Sequence, residues 1–138
     1  MFSSKSKNAL KILIHLAQRK PLEYIPLREI SEAEDVSLKY IEQIMPQLVN
    51  GNYVDVKHGK QGGYRLKKDP NDINAWEILV MMETFVLPVA ELGDPEEENK
   101  LGSTLKMWED FAALQEDYFK KITIASLAKI DYVPDYVI

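Results

Sequence analysis

The amino-acid sequence predicts a mainly α-helical fold that carries one small β-hairpin. Apolar residues recur with helical spacing over most of the 138-residue chain, and capping or helix-stopping residues stand near the ends of these stretches. Alternation with a period of two occurs in residues 53–57 and 64–67, which flank the glycine-containing loop 58–63. A chain of this length buries about 70% of its unfolded surface, so we expect one domain with an appended element.

The first two predicted helices precede a short turn. The first covers residues 4–20, where Ser4 or Ser6 can cap the start and Pro21 stops the helix. The second covers residues 26–34 and has a proline in its first turn, where a missing N–H costs nothing. The predicted buried side chains of these two helices are Leu10, Leu13, Ile14, Ala17, Leu27, Ile30 and Ala33.

Ser37 is the predicted N-cap of a third helix, which has an apolar stripe and a polar outer face. Pro46 lies inside this helix, and we expect a kink or an irregular turn there because an interior proline costs about 3 kcal/mol. Asn74 is predicted to cap a fourth helix that runs to Phe85. The apolar stripe of the third helix comprises Ile41, Ile44, Met45 and Leu48, and its outer face comprises Lys39, Glu42, Gln43 and Pro46.

The second half of the chain is predicted to hold a linker and one long helix. Residues 85–100 contain two prolines, a glycine and three consecutive glutamates, which are typical of a solvated linker. Residues 101–121 return to helical spacing with an aromatic stripe that one helix cannot bury alone, and a short amphipathic piece and an apolar tail follow. The expected division is therefore 1–84 for the main domain, 85–100 for the linker, and 101–138 for the long helix and tail.

Charge is distributed unevenly along the chain. Residues 1–68 contain 12 Lys and Arg against 7 Asp and Glu, a net charge of +5, whereas residues 69–138 contain 5 against 15, a net charge of −10. The basic half favours a polyanionic partner, because salt screens charges beyond about 8–10 Å and a local patch decides binding. Two solvated surfaces that differ in charge are the alternative explanation.

Several classes of function are excluded or disfavoured by the sequence. The chain has no cysteine, which excludes disulfides, thiol catalysis and thiolate-held zinc or iron–sulfur sites. No apolar run approaches the ~18 residues of a membrane span, and no signal peptide is recognisable, so the expected location is the cytoplasm. We find no nucleophile–base pair, no shared carboxylate pair, no cofactor fingerprint and no metal-ligand spacing around His58, so neither an enzyme nor a metal site is expected.

The order of the elements is that of a winged helix-turn-helix domain. Three helices lead into a hairpin whose loop is the wing, and in this arrangement the third helix enters the DNA major groove by its N-terminal end. Glycines let the wing turn tightly and bring backbone N–H groups near phosphate, while Lys57, Lys60 and Arg65 add positive charge. A phosphate-binding P-loop is disfavoured because the loop leads into a strand and Lys60 precedes Gln61. A plain structural hairpin is the alternative.

Several motifs in order along the chain resemble the Rrf-two family of bacterial transcription regulators, which includes the IscR and NsrR types. SLKYIEQIMPQLVNGNYVDVKHGKQGGYRL (37–66) is similar to the serine-initiated helix and Gly-Gly-Tyr wing of that family. SSKSKNAL (3–10) and PNDINAWEILVMME (70–83) are similar to two further family segments. The resemblance covers about residues 3–84 and extends more loosely to the end of the chain.

The resemblance implies a homodimeric, sequence-specific transcription regulator that binds double-stranded DNA, in which the long helix crosses the partner's copy. A carboxylate at Glu42 can accept from the cytosine amino group, whereas Tyr40 is as well explained by partly buried packing. The expected DNA-binding residues are Ser37, Lys39, Tyr40, Glu42, Gln43, His58, Lys60, Gly62, Gly63, Lys5 and Lys7. The expected dimer-interface residues are Leu101, Leu105, Trp108, Phe111, Ala112 and Tyr118.

The chain departs from the iron–sulfur members of the family, which hold their cluster with three cysteines between the fourth and the long helix. It has no cysteine, so no cluster is expected, and the sensed signal is a small-molecule effector, a partner protein or none. His58 stands where the family usually has arginine. This difference favours the alternative that the winged helix is a protein-interaction module that no longer binds DNA.

Overall fold

A computed structural model of the chain describes residues 2–83 and 95–131, and it confirms the predicted mainly α-helical class with one small hairpin. The helices and strands in chain order are α1 (Ser4–Ala17), α2 (Leu27–Glu34), α3 (Leu38–Asn50), β1 (Val54–Lys57), β2 (Gly63–Leu66), α4 (Ala75–Met82), α5 (Pro95–Leu101), α6 (Leu105–Lys120) and α7 (Ile124–Asp131). Short 3-10 turns lie at Pro70–Asp72 and Gly102–Thr104. Helix α4 ends at Met82 and its C-cap Glu83 is extended (φ −109°, ψ 144°), so the prediction that this helix runs to Phe85 was wrong. Residues 84–85, most of the linker and the tail at 132–138 lie outside the described residues.

Helix α1 begins and ends earlier than predicted. Ser3 is its N-cap, and the Ser3 Oγ accepts a hydrogen bond from the Ser6 amide at 3.4 Å. The prediction of Ser4 or Ser6 as the cap was therefore wrong, and Ser6 is instead a buried residue inside the helix. The helix ends at Ala17 rather than at residue 20, and its C-cap Gln18 donates its backbone N–H to the Ile14 and His15 carbonyls. The buried face comprises Ala9, Ile12, Leu13 and Leu16, so Leu10, Ile14 and Ala17 are only half-buried.

Helices α2 and α3 form the helix-turn-helix pair. A left-handed Asp35 (φ 53°) ends α2, and the Ser37 Oγ caps α3 as predicted, accepting from the Tyr40 amide at 3.1 Å. The predicted stripe of α2 was partly wrong: Ile30 is buried, but Ala33 is exposed, because positions three apart drift by about 60° around a 3.6-residue helix. The predicted stripe of α3 is buried and its predicted outer face is exposed. The helix continues through Pro46.

The core is shared by the first four helices and α7. Ile12 of α1, Ile44 of α3 and Ile78 of α4 have no solvent exposure, and neither has Ile124, the first residue of α7. The Gln18 side chain donates to the Ala128 carbonyl at 3.1 Å and fastens α7 to the end of α1. The last helix thus belongs to the same core as the winged helix, and α5 is helical where the sequence predicted a linker up to residue 100.

The hairpin is hydrogen-bonded to the loop that precedes α2. Strands β1 and β2 are antiparallel and pair Val54 with Leu66 and Lys57 with Gly63. Ile25 and Tyr64 exchange two backbone hydrogen bonds of 2.8 Å, which extend the hairpin by an isolated bridge. The position of the wing is therefore set by residues before the helix-turn-helix pair as well as by its own strands.

The connection between α6 and α7 is hydrogen-bonded to the start of α4. The Ala75 amide donates to the Ile122 carbonyl and the Ile124 amide donates to the Ile73 carbonyl, both at 2.8 Å. Asn74 caps α4 as predicted, with its Oδ1 accepting from the Glu77 amide at 3.0 Å. These bonds hold the C-terminal end of α6 against the winged-helix core. No described helix has the length and apolar character needed to cross a membrane.

A buried carboxylate joins the end of α4 to the start of α1. Glu83 Oε1 accepts from the Ser3 amide and Ser3 Oγ at 2.7 Å and from Ser6 Oγ at 2.6 Å. Burial raises the pKa of the Glu83 carboxyl, but the hydrogen bonds from Ser6 and Ser3 outweigh this effect, and the pKa lies below its ordinary value. The ionised form of Glu83 therefore stabilises the folded state.

We expect Glu83→Gln to lower the free energy of unfolding at pH 7 and to make that free energy less dependent on acid pH. Because the pKa of Glu83 is lower in the folded state than in the unfolded state, its ionised form stabilises the protein at pH values above the unfolded-state pKa of about 4.3. This stabilisation is lost as the pH falls through the folded-state pKa. Urea unfolding of both proteins from pH 7 to pH 3 measures the difference, with Glu42→Gln as an exposed control. A wild-type advantage that stays constant over this range would contradict the assignment.

Candidate nucleic-acid interface

The N-terminal half of α3 presents a polar face to solvent. Lys39, Glu42 and Gln43 are exposed, and the capping residue Ser37 is exposed beside them. Tyr40 is half-buried and packs against the core, which agrees with the packing explanation for this residue. Because the opposite face of α3 is buried, the helix cannot rotate to withdraw these side chains from solvent.

The wing ends in a tight turn that exposes its polar side chains. Gly59 has a φ of 110°, a region that favours glycine, and the Gly62 amide donates to the Gly59 carbonyl at 3.0 Å. His58 and Lys60 are exposed on this turn. The closing bond uses the Gly62 N–H inside the protein, and the contact of Gly62 with DNA stays a prediction.

Glycine is required at position 63 because the backbone of another segment lies very close to it, which the sequence alone did not indicate. It is buried, and a Cβ there would overlap the backbone carbonyl of Ile25, while a Cβ at Gly62 would overlap the Lys57 carbonyl. The backbone of Gly63 faces the Ile25 loop, and its contact with DNA stays a prediction. Both glycines are needed for close approach of chain to chain within the protein.

Tyr24 packs against cationic side chains at the base of the wing, a role that its sequence position does not indicate. The Arg65 guanidinium lies 4.3 Å from the centre of the Tyr24 ring, and the Lys57 ammonium lies 5.7 Å from it. Arg65 also donates to the Leu22 carbonyl at 3.2 Å and lies 3.8 Å from the Asp55 carboxylate. Arg65 thus supports the hairpin, and contacts between residues about 40 positions apart leave no local sequence signal.

The other predicted DNA contacts lie on the first two turns of α1. Lys7 is exposed and Lys5 is half-buried. Among the described residues, neither these lysines nor Lys39 or Lys60 has a carboxylate within 4.0 Å of its side-chain nitrogen. Their positive charges are therefore not neutralised by neighbouring acids in the described part of the chain.

An exposed apolar stripe runs along α6. The outer stripe, as we call it, consists of Met107, Trp108, Phe111, Leu114 and Tyr118. Phe111 and Tyr118 keep more than half of their surface in solvent, whereas Leu101 and Leu105 are half-buried. Ala112 is 1% exposed because it lies on the inner side of α6, which packs against α4, so the single chain does not expose this residue for the predicted dimer contact.

Comparison with known proteins places this arrangement in a family. The Rrf2 family, described as an iron-dependent transcriptional regulator, matches residues 2–130. The HTH-type transcriptional regulator IscR of Photobacterium profundum is 26% identical over 134 residues, covering 96% of this chain and 78% of that relative. The HTH-type transcriptional regulator CymR of Bacillus subtilis is 33% identical over 94 residues, which make up 68% of each protein.

Solved structures agree with this assignment. The structure of CymR (YrzC), the global cysteine regulator of B. subtilis, matches with a TM-score of 0.77 and 27% identity, covering 96% of this chain and 98% of that chain. The oxidised form of Staphylococcus aureus CymR matches with a TM-score of 0.72 and 25% identity, covering 97% and 98%. The predicted resemblance is confirmed, and the named relatives are regulators rather than enzymes. The chain belongs to the Rrf2 family of winged helix-turn-helix transcription regulators.

Proposed function

We propose that this regulator is a cytoplasmic homodimer that binds a specific sequence of double-stranded DNA. The observation that carries the proposal is the division of α3 into two faces. Its apolar face is buried in the core, and its outer face exposes Lys39, Glu42 and Gln43 at the N-terminal end, which enters the major groove in helix-turn-helix domains. Lys60 is exposed on the turn of the hairpin, where it can contact the phosphate backbone.

The outer stripe of α6 supports the homodimer. Met107, Phe111, Leu114 and Tyr118 are spaced by four, three and four residues, the spacing of side chains that line one face of a helix. Contiguous exposed apolar patches of this kind mark interaction surfaces. A second copy of α6 is a fitting partner because it presents the same apolar stripe in a self-complementary, two-fold arrangement.

The residues of this chain do not fit the cysteine-ligated iron–sulfur cluster of some family members. The sequence has no cysteine, and the described residues contain no group of three or more His, Asp or Glu side chains that could hold a metal ion. Thiolate ligands are the donors that such clusters use. We therefore propose regulation without a cluster of this kind.

Salt dependence of DNA binding tests the proposal. If each protomer makes about three or four phosphate contacts, log Kd should rise with log salt concentration with a slope of roughly 5 to 7. Fluorescence anisotropy with DNA fragments selected by the purified protein from genomic DNA measures the slope. A flat salt response, or no selection of any sequence, would reject the function.

Two substitutions should separate positioning contacts from base-reading contacts. We expect Lys60→Ala to weaken binding to all sequences and to reduce the salt slope by about one per protomer, since it removes one phosphate contact. Glu42→Ala should instead change the preference between sequences, by about 1–3 kcal/mol for the base pair concerned. Lys106→Ala, an exposed lysine on α6, is the control. Identical behaviour of the first two variants would contradict these roles.

A winged-helix protein-interaction module is the second candidate function. It is favoured by His58 in place of the usual arginine and by the internal use of the Gly62 N–H. A gel shift against random DNA separates the two functions, because the interaction module would retard no fragment even at low salt.

A further inference from the structure

A cavity of about 400 Å³ lies between the C-terminal end of α1 and α7. It is separate from the outer face of α3 and from the outer stripe of α6. Its volume falls within the range of about 300–1,000 Å³ that is usual for small-molecule sites. Gln18 lines the cavity and, by its hydrogen bond to the Ala128 carbonyl, fixes the two walls relative to each other.

The floor of this cavity is apolar and made of small side chains. Ala17 comes from α1, Ala125 and Ala128 come from α7, and Pro70 closes one side. The short side chains leave room between two helices that otherwise pack closely. A floor of this kind suits the apolar body of a ligand.

The rim of the cavity is positively charged. Arg19, Lys20 and Lys129 line it, and none of the eight described residues that line it is acidic. Arg19 is already paired with Glu23 at 3.2 Å and with Glu29 at 3.4 Å. Lys20 and Lys129 are exposed and have no carboxylate within 4.0 Å among the described residues. Within the described part of the chain, no carboxylate therefore offsets the charge of these two lysines, and they can pair with an anionic group.

The described residues that line this cavity include none from α3 or from the wing turn, where the proposed DNA contacts lie. An adjoining cavity of about 350 Å³ shares Lys20 and Pro70 and leads to Arg65 and Leu66 at the base of the wing. Strand β2 spans four residues, or about 13 Å, between that base and the wing turn. Glu23 and Asp69 line the adjoining cavity beside five cations, and three of those cations already lie within 4.0 Å of a carboxylate: Arg19, Arg65 and Lys67. The first cavity has no acidic residue among its described lining, so it suits an anionic group better.

We propose that the cavity between α1 and α7 binds a small amphipathic organic anion, with a carboxylate or sulfonate between Lys20 and Lys129 and an apolar body on the alanine floor. Charge complementarity at the rim and the small apolar floor select this class of ligand. A role of the ligand as effector rests on the proposed DNA-binding function, because the adjoining cavity reaches the base of the wing. The binding itself does not rest on that function.

Binding of 8-anilinonaphthalene-1-sulfonate to the full chain, without DNA, tests the site. We expect saturable binding of one probe per chain, with ¹H–¹⁵N NMR shift changes at Gln18, Ala125 and Lys129. The double variant Lys20→Glu/Lys129→Glu should bind the probe at least about tenfold more weakly, since two charged contacts are reversed. The control Lys11→Glu/Lys106→Glu makes the same change in net charge on exposed lysines outside the cavity and should bind normally.

A second variant tests the floor without changing charge. Ala125→Phe should fill the cavity and abolish the shift changes at Gln18 and Lys129, while a preserved NMR spectrum elsewhere shows that the chain is folded. Normal binding to this variant or to the double lysine variant, or shift changes confined to α6, would overturn the site. Anion binding without any DNA binding would instead reject the proposed function and leave the site intact.

Discussion

Replacing Gly63 with alanine should destabilise the protein by about 3 kcal/mol and abolish DNA binding at physiological salt. The added Cβ would overlap the Ile25 carbonyl, a backbone group that cannot move aside as a flexible side chain can. Overpacking of this kind costs about 1–3 kcal/mol, and a backbone neighbour places this case at the upper end. The same overlap would break the paired bonds between Ile25 and Tyr64 that fix the wing.

Gly102→Ala is the matched control for this substitution. Gly102 has a φ of 57°, but no atom lies within 4 Å of a Cβ built there. The expected loss of stability is therefore only about 1–2 kcal/mol, the cost of holding an alanine in the left-handed backbone conformation, and the wing should not be affected. Urea unfolding and fluorescence anisotropy measure both variants. Equal losses of stability, with DNA binding retained in both, would show that the wing does not depend on the Ile25 contact.

Replacing Phe111 with aspartate should convert the proposed dimer into monomers. Each copy would lose a central aromatic contact worth about 2 kcal/mol, and two copies per interface give about 4 kcal/mol, or a thousandfold weaker association. Phe111 is 51% exposed in the single chain, so the folded protomer should keep its stability. Sedimentation equilibrium measures the association, and DNA affinity should fall in parallel because one half-site is lost.

Leu22→Asp is the control for the apolar surface. Leu22 is 80% exposed and lies outside the outer stripe, and its left-handed backbone (φ 72°) suits aspartate better than leucine. It should leave the association unchanged. If Phe111→Asp formed dimers with undiminished affinity, or if both variants weakened the association equally, α6 would not be the dimer interface.

The sequence was sufficient for features that depend on local pattern. The cap at Ser37, the two faces of α3, the hairpin and the cap at Asn74 follow from residue type and spacing within a few positions. The prediction that the protein is a transcription regulator came from its resemblance to a known family. The predicted contact residues on α3 and on the first turns of α1 stay predictions, as does the division of the chain into segments.

Features that depend on contacts between distant residues were missed or misassigned. The role of Gly63 depends on Ile25, the place of Tyr24 depends on Arg65, and Ala112 turns inward because α6 packs on α4. In each of these pairs, the two partners lie far apart in the sequence, and they are neither on neighbouring turns of one helix nor paired across the hairpin. A pattern that is read along one segment cannot identify them.

The hydrogen-bonded junction between the end of α6 and the start of α4 bears on the spacing of the half-sites in the proposed operator. Two backbone hydrogen bonds and the buried Ile124 hold this junction. In the proposed dimer, α6 would therefore not act as a flexible tether between the two DNA-binding domains. The two heads of a dimer joined through α6 would keep one fixed separation. Spacer length should consequently matter as much as base sequence, and adding a half-turn of about five base pairs between the half-sites should put the second head on the wrong side of the duplex.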